Sequence, residues 1–340
     1  MNCIPADRIH TLRDLTENAA RIAVVSHTHP DGDALGATAA LALYLQSLPG
    51  NAVTCVFSDS PADNLRFLLP GSVSYRFHDT EPALSEAALR EAELIFLVDA
   101  NEFSRTEALR PLLEASPAPK VLIDHHLNPD CARFNVVFST PDISSASELL
   151  YWILKALGAE ISNPMGTALL AGMTTDTNNF ANSVFPSTLQ MASELIASGV
   201  DRDALLDKIY RQYRENRVRL MGYMENEGLR VLPCGAAYML LTRAIQHRFD
   251  LREGESEGLV NVPLTIASVR LSILLKEDEG HFRVSVRSKK GTSAQQLAVR
   301  FFHGGGHENA AGGKLFVGQD IPAAEDAAAY VENALNTFLG

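Results

Sequence analysis

Short apolar runs alternate with amphipathic stretches over the first half of the chain. The runs have the length of buried strands, and the stretches between them repeat apolar positions with helical spacing. This alternation predicts βαβ units with right-handed crossovers, and therefore an α/β fold with a mainly parallel, doubly wound sheet. The predicted strands are Arg21–Ser26, Ala52–Phe57, Leu94–Val98 and Val121–Ile123, and the predicted helices are Asp7–Ala20, Asp33–Leu48, Ala62–Leu69, Arg105–Glu114 and Ser145–Leu157.

The pattern changes in the second half of the chain. Residues 163–228 read as nearly all helix, and the charged stretch Arg211–Glu227 predicts a long helix between two domains. We therefore predict a first domain of residues 1–210, a helical linker of residues 211–228 and a smaller α+β domain of residues 229–340. The last of these has predicted strands at Tyr238–Thr242, Thr265–Leu275, His281–Ser288 and Lys314–Val317, and predicted helices at Ser293–Arg300 and from Ile321.

Composition is that of a soluble globular protein, because 46% of the residues are hydrophobic and 21% are charged. No apolar run approaches the ~20 residues of a membrane span, and the first residues lack a signal-peptide pattern, so we expect a cytoplasmic protein without a membrane partner. The four cysteines are scattered along the chain and are expected to be reduced. The net charge of −12 argues against long duplex nucleic acid as a partner.

Candidate chemistry begins in the segment Ser26–Gly36, where a buried strand passes through a polar turn into a helix. The turn holds His27, Asp31 and Asp33 as H-x3-D-x-D. A hydrophobic core has no use for three such groups, and neighbouring carboxylates repel each other unless a cation compensates them. The turn therefore predicts half of a metal site.

Similar residues follow two later strands and one helix. Asp99 comes directly after the predicted strand Leu94–Val98. The predicted strand Val121–Ile123 is followed directly by Asp124, His125 and His126. Open α/β sheets bind ligands at these strand ends. With Asp176 after an apolar helical run, the chain offers more ligands than one ion needs, which favours two divalent ions sharing a carboxylate. Imidazole and carboxylate ligands without thiolate favour Mn²⁺, with Fe²⁺, Co²⁺ or Mg²⁺ as substitutes.

A second cluster lies in the C-terminal domain. Gly304, Gly305 and Gly306 precede His307, and three successive glycines allow the backbone to approach an anion. Arg287 lies on the preceding predicted strand, and arginine binds phosphate through two parallel hydrogen bonds. This cluster predicts a phosphate-binding loop.

The ordered motifs resemble those of the DHH phosphoesterases. They comprise H-x3-D-x-D in a strand–turn–helix context, an aspartate after a later strand, Asp-His-His after the next, and Asp176 in T-x-D-T. The segment G-G-G-H-x-x-A-A-G resembles the motif of the DHHA1 domain. The motifs span residues 26–313, and the two-domain build is most similar to the bacterial subgroup of bifunctional oligoribonucleases and pAp phosphatases.

The resemblance implies a role for each motif residue. One Mn²⁺ would be held by His27, Asp31 and Asp99, and the other by Asp33, Asp99, His125 and Asp176. His126 would contact the scissile phosphate and Asp124 would orient the histidines, so Asp99, His126 and Asp124 form the catalytic set. The remote end of the substrate would contact Arg287, Gly305, Gly306 and His307. Arg105 would either contact the substrate or form a structural salt bridge.

The resemblance also implies hydrolysis of short oligoribonucleotides, of the dinucleotide pApA and of the 3′-phosphate of pAp, by water that two metals activate. The alternatives are a RecJ-like exonuclease on longer single-stranded DNA, an inorganic pyrophosphatase and a nucleotide-binding sensor without catalysis. A short RNA or nucleotide phosphate is the expected partner, and a homodimer is a candidate assembly.

Overall fold

The computed structural model describes residues 4–340, which form two compact units with a boundary after Gln212. The prediction for Cys3 lies outside the described residues, whereas the other three cysteines are free thiols. Within residues 4–340, no helix combines the length and the apolar character that a membrane crossing requires.

The first unit is built on a six-stranded sheet in which every neighbouring pair of strands is parallel. The strand order is β3-β2-β1-β4-β5-β6, so the chain changes direction across the sheet between β1 and β4. The ligand crevice of such a sheet lies at the carboxyl ends of the two strands at this switch. The predicted α/β fold is confirmed. The strands are β1 (Arg21–Val25), β2 (Ala52–Phe57), β3 (Ser74–Phe77), β4 (Leu94–Val98), β5 (Lys120–Asp124) and β6 (Val136–Ser139).

Helices cover both faces of this sheet, since alternate residues of β1 enter two different cores. Ile22 and Val24 lie in the larger core, whereas Ala23 and Val25 lie in a smaller core on the opposite face. Each face of a parallel sheet must be covered in this way, because its strands are apolar throughout. The helices of the unit are α1 (Ala6–Asn18), α2 (Gly32–Ser47), α3 (Pro82–Glu91), α4 (Arg110–Ala115), α5 (Ala146–Leu157), α6 (Asn163–Asp176), α7 (Pro186–Ala197) and α8 (Arg202–Tyr210).

Two glycines bring α2 and α6 into close contact. A Cβ atom on Gly36 would lie 2.4 Å from the carbonyl oxygen of Ala168. A Cβ atom on Gly172 would lie 2.0 Å from Ser147 Oγ and 2.7 Å from Asp33 Oδ1. The absence of side chains at these two positions therefore sets the distance between the start of α2 and the end of α6.

Several predicted elements of the first unit were wrong or missed. The helix predicted at Ala62–Leu69 is a 3₁₀ helix, Asp63–Leu68. The helix predicted at Arg105–Glu114 is a 3₁₀ segment followed by α4, because Glu107 has a φ of 40° and interrupts the helix. Two short strands at the sheet edges, β3 and β6, and the helix α3 were not predicted, because short and partly polar segments give little periodic signal.

The second unit is an α+β structure on a six-stranded sheet with the order β11-β12-β10-β9-β8-β7. Its strand pairs are antiparallel except β8 with β9, which is parallel. The predicted second α+β domain is thereby confirmed as a fold. Its elements are α9 (Glu215–Tyr223), a π-helical turn (Met224–Gly228), β7 (Leu229–Val231), β8 (Ala236–Leu241), α10 (Arg243–Arg248), β9 (Leu271–Glu277), β10 (His281–Ser288), α11 (Ala294–Phe301), β11 (Gly305–Gly306), β12 (Ala310–Phe316) and α12 (Ala327–Leu339).

Three predicted elements of this unit are shorter in the structure. The helix predicted from Ile321 begins as an α-helix only at Ala327, after a 3₁₀ turn at Ala324–Asp326. The helix predicted over Arg211–Glu227 begins only at Glu215. The strand predicted over Thr265–Leu275 begins at Leu271, because a 3₁₀ segment that contains Pro263 occupies the preceding residues. The division into residues 1–210, 211–228 and 229–340 stays a prediction.

We predict that Gly172→Ala lowers the free energy of unfolding of the first unit by ~1–3 kcal/mol, because the added methyl group collides with Ser147 and Asp33. Fluorescence of Trp152, the only tryptophan of the chain, reports on this unit during urea unfolding. The control is Gly71→Ala, where an added Cβ meets no atom within 4 Å. Equal midpoints for the two variants would contradict the proposed steric role of Gly172.

Candidate metal centre

The turn between β1 and α2 orients its candidate ligands through backbone hydrogen bonds. Asp31 is the N-cap of α2, and its Oδ1 accepts bonds of 3.0 Å from the amides of Asp33 and Ala34. His27 is buried and donates from Nδ1 to the carbonyl oxygen of Thr28 at 2.7 Å. Since Nδ1 then carries the proton of the neutral ring, Nε2 is the nitrogen available as a ligand.

Asp99 lies between two imidazoles at the end of β4. Its Oδ2 is 3.4 Å from His27 Nε2, and its Oδ1 is 3.3 Å from His125 Nε2. The backbone of Asp99 has a φ of 56°, which is uncommon for a residue other than glycine. Its buried Oδ1 accepts no hydrogen bond from any residue within 4–340. A buried oxygen in this condition is suited to a cation.

A second group of candidate ligands surrounds the same His125 nitrogen. His125 Nε2 lies 3.5 Å from Asp176 Oδ2 and 3.8 Å from Asp33 Oδ2. Asp33 is only 1% exposed, and its two oxygens accept bonds of 2.7 and 2.9 Å from the amides of Ala146 and Ser147. The first amides of α5 therefore hold Asp33 in place.

The residues predicted as metal ligands thus form two adjacent groups, and within each group the potential ligand atoms lie within 4.8 Å of one another. Asp99 also forms a further group of this kind with Asp124 and His126. All six residues predicted as metal ligands are brought together. Both groups combine imidazole nitrogen with carboxylate oxygen, which is a donor set for divalent transition metals. The donor chemistry and the orphaned oxygen of Asp99 both fit such a cation. The groups are His27, Asp31 and Asp99, and Asp33, His125 and Asp176.

Protonation compensates the buried carboxylates when no cation is bound. Burial and the neighbouring Asp99 and Asp176 raise the pKa of Asp33 well above its usual value. Burial alone would lower the pKa of His125, but Asp176, Asp99 and Asp33 raise it to about 10. His27 shows the same balance, with burial opposed by Asp99 and Asp31 and a raised pKa as the result. Despite its burial, Asp99 has a pKa well below the usual range because both histidines contact it.

His126 occupies a different environment beside this centre. Its Nδ1 donates to Asp124 Oδ1 at 2.7 Å, and its backbone amide donates to Oδ2 of the same carboxylate at 3.0 Å. Its Nε2 accepts a bond of 2.6 Å from Arg105 Nη1. Burial and the charge of Arg105 lower the pKa of His126, so the ring is neutral with its proton on Nδ1. The Nη1 atom of Arg105 therefore contacts an imidazole rather than a carboxylate.

Two of the predicted phosphate-binding residues of the second unit, Arg287 and His307, lie in one row of its sheet. Arg287 on β10 pairs with Ala310 on β12, and the amide of His307 bonds to the carbonyl oxygen of Ala310 at 2.8 Å. Residues in one row extend from the same face of a sheet, so Arg287 and His307 lie on a common face. The opposite face packs Val284 and Val286 into the core with α11 and α12.

The glycine segment is a β-hairpin, whereas a loop was predicted. Gly305 and Gly306 pair with Gly312 and Ala311 in an antiparallel register. A Cβ atom on Gly304 would lie 1.9 Å from the carbonyl oxygen of Gly312, and Gly306 has a φ of 137°. These two glycines are therefore required by the hairpin itself. Among the three glycines of this segment, Gly304, Gly305 and Gly306, a Cβ atom would meet nothing within 4 Å only at Gly305, which leaves the backbone accessible there.

The sequence analysis missed the residues that hold Asp33, which lie at the start of α5. Glu148 is fully buried, and Ser145 is the N-cap whose Oγ accepts a bond from the amide of Glu148. Ser145 and Glu148 have the S-x-x-E spacing of a capping box, which marks a helix start in sequence. This spacing indicates where the helix begins, but it does not show that the helix amides bind a ligand residue.

We predict that metal binding releases protons and that affinity rises with pH. His125 keeps its proton up to about pH 10 without a cation, so a metal must displace that proton at neutral pH. The dissociation constant for Mn²⁺ should fall by up to about tenfold per pH unit between pH 7 and 9 for each proton displaced. Calorimetric titration in two buffers of different ionisation enthalpy measures the released protons.

The control for this titration is His247→Gln, which changes an exposed histidine of the second unit and should leave the proton release unaltered. A pH-independent dissociation constant would contradict the protonated state of His125.

Two family models match the chain. The DHH family N-terminal domain covers residues 21–173, and the DHHA1 domain covers residues 236–334. The bifunctional oligoribonuclease and PAP phosphatase NrnA of Thermus thermophilus is 30% identical over 300 residues, which are 86% of this chain and 84% of that protein. The protein of the same name from Bacillus subtilis is 27% identical over 298 residues, or 85% and 88% of the two chains.

A solved structure is also similar over nearly the whole chain. The crystal structure of an exopolyphosphatase-related protein from Bacteroides fragilis superposes with a TM-score of 0.90 at 35% identity, covering 98% of this chain and 97% of the other. Both domain models, the full-length relatives and the assembled motif residues agree. The chain therefore belongs to the DHH/DHHA1 family of phosphoesterases.

Proposed function

We propose that this protein is a Mn²⁺-dependent phosphoesterase that hydrolyses short oligoribonucleotides, including pApA, and removes the 3′-phosphate of pAp. The observation that carries the proposal is the pair of imidazole–carboxylate groups around Asp99 at the carboxyl edge of the sheet. The relatives named as bifunctional oligoribonuclease and PAP phosphatase support the substrate class.

In this proposal each group would hold one Mn²⁺ ion. Asp99, whose Oδ1 lies 3.3 Å from His125 Nε2 of the second group, would be shared between the two ions. Co²⁺, Fe²⁺ or Mg²⁺ are candidate substitutes, although Mg²⁺ prefers a shell of oxygen alone. When bound, such cations make water a nucleophile near neutral pH and neutralise negative charge on a phosphoryl group. Hydrogen bonds from backbone amides to Asp31 and Asp33 fix these two carboxylates before any cation binds.

The pair of His126 and Arg105 is proposed to bind the scissile phosphate. Asp124 keeps the proton of His126 on Nδ1, so Nε2 faces Arg105. The guanidinium has five N–H donors, and only one is needed for this bond. The remaining donors suit the oxygens of a phosphoryl group, which arginine binds in a forked geometry.

The second unit is proposed to recognise the remote end of the substrate. Arg287 and His307 offer charge and a hydrogen-bonding ring on one sheet face, and Gly305 offers backbone accessible to an anion. Gly306 is proposed to contribute by shaping the hairpin next to it. Binding energy gained at a remote phosphate can be used to orient the reacting one. Short substrates with a second phosphate would gain the most binding energy from this arrangement.

Location and assembly are part of the same proposal. Short RNA fragments and nucleotide phosphates are cytoplasmic compounds, so we propose a cytoplasmic enzyme with one of these as its only nucleic-acid partner. A homodimer is the proposed assembly, and light scattering after size-exclusion chromatography measures the mass of the particle.

We predict that the wild-type protein with Mn²⁺ hydrolyses pAp and a labelled RNA dimer, and that Asp99→Ala lowers kcat/KM by ~10³-fold or more because both groups lose their shared carboxylate. Release of phosphate and of mononucleotide are the two measurements. Inactivity of both proteins on both substrates would favour a nucleotide-binding sensor. Faster degradation of long single-stranded DNA than of the dimer would favour the exonuclease alternative.

We predict that Arg287→Gln and His307→Ala raise KM for RNA dimers and pAp by ~10-fold or more, with a smaller change in kcat, because each removes a contact to the remote phosphate. The control is Arg230→Gln, which removes an exposed charge from β7 of the same sheet. Unchanged kcat/KM in both test variants would exclude the second unit from substrate recognition.

A further inference from the structure

The strongest unexplained feature of the first unit is a buried carboxylate beside the candidate metal centre. Glu148 has no exposed surface, and burial of a carboxylate is costly unless donors surround it. It is outside both groups of candidate ligands. Its position in the first turn of α5 is one residue after Ser147, whose amide binds Asp33.

Four donors from three parts of the chain converge on this carboxylate. Oε2 accepts bonds from the amide of Ser144 at 3.1 Å, from the hydroxyl of Ser144, and from Thr188 Oγ1 at 2.7 Å. Oε1 accepts a bond from Trp152 Nε1 at 3.4 Å. These hydrogen bonds satisfy the buried carboxylate and tie the start of α5 to the start of α7.

The segment fixed in this way is the one that holds Asp33. Ser144 lies two residues before Ala146, and the amides of Ala146 and Ser147 take up both oxygens of Asp33. These amides have no partner within their own helix, and their orientation near a helix N-terminus favours a negative charge. Any rotation of the first turn of α5 would therefore move Asp33.

We propose that Glu148 is a positioning residue that sets the metal affinity of the group formed by Asp33, His125 and Asp176. This inference rests on the proposed function, because it requires that these residues bind a divalent cation. Glu148 acts through Ser144 and the α5 amides, and it contacts neither metal nor substrate. The group formed by His27, Asp31 and Asp99 does not depend on this turn, because Asp31 is held by the amides of α2.

The test is Glu148→Gln, which keeps the shape of the side chain and turns one acceptor oxygen into a donor. Mn²⁺ titrations of the metal-free full-length protein, followed by calorimetry and by electron paramagnetic resonance of free Mn²⁺, measure each binding step. We expect the dissociation constant of one of the two ions to rise ~10-fold or more, as for other residues that orient metal ligands, while the other changes little. The same variant should lose kcat with little change in KM.

Two controls separate positioning from general destabilisation. Glu194→Gln changes a half-buried carboxylate of α7 that accepts hydrogen bonds from Tyr151 and Gln190, and both Mn²⁺ affinities should stay as in the wild type. Leu195→Ala opens a cavity in the core, since Leu195 is 2% exposed, and should lower the melting temperature without selective loss of one ion. Both variants are compared with Glu148→Gln at a temperature where all are folded.

The outcomes distinguish this inference from the proposed function. Wild-type Mn²⁺ affinity for both ions in Glu148→Gln would overturn the positioning role, and so would equal weakening of both ions in Glu148→Gln and Leu195→Ala. Failure of the wild-type protein to bind Mn²⁺, Co²⁺ or Mg²⁺ would overturn the proposed metal centre itself, whatever Glu148→Gln does. Selective loss of one ion in Glu148→Gln alone supports the inference.

Discussion

Mutual repulsion among the carboxylates at the switch point of the parallel sheet is the constraint on which the rest of the first unit depends. Asp33 and Asp99 are almost completely buried, and Asp176 Oδ2 lies 3.5 Å from His125 Nε2. Such a cluster persists only if protons, imidazoles or cations offset its charge. The raised pKa values of His27 and His125 show how the chain does this without a cation. A divalent ion can replace those protons, and it would then compensate the carboxylate charge in their place.

Rigid backbone supports hold this repulsive cluster on its buried side, whereas the side chains of Asp31 and Asp176 are partly exposed. The N-termini of α2 and α5 supply amides to Asp31 and Asp33, and Gly36 and Gly172 permit the close approach of α2 and α6, the helix that ends at Asp176. These supports are backbone amides and glycine positions in helices, which have little conformational freedom in the folded chain. Preorganised ligands lose little conformational entropy when a cation binds, because that entropy is already lost when the chain folds.

Much of this arrangement could be predicted from the sequence, because the ligands follow strongly apolar strands whose order along the chain is clear. The strand ends at Val25, Val98 and Asp124 place their polar neighbours along one sheet edge. The supporting residues could not be predicted in the same way. Glu148 and Gly172 act through long-range contacts that leave no local periodicity. The glycine hairpin was taken for a loop because glycine permits both conformations and favours neither.

The strands at the four sheet edges are all short. β3 and β6 have four residues each, β7 has three and β11 has two. An edge strand offers unpaired amides and carbonyls to other chains, and its capacity to recruit them grows with its length. We therefore expect both sheets to resist edge-to-edge aggregation, so that any self-association of this protein would be mediated by its helices and loops rather than by extension of a sheet.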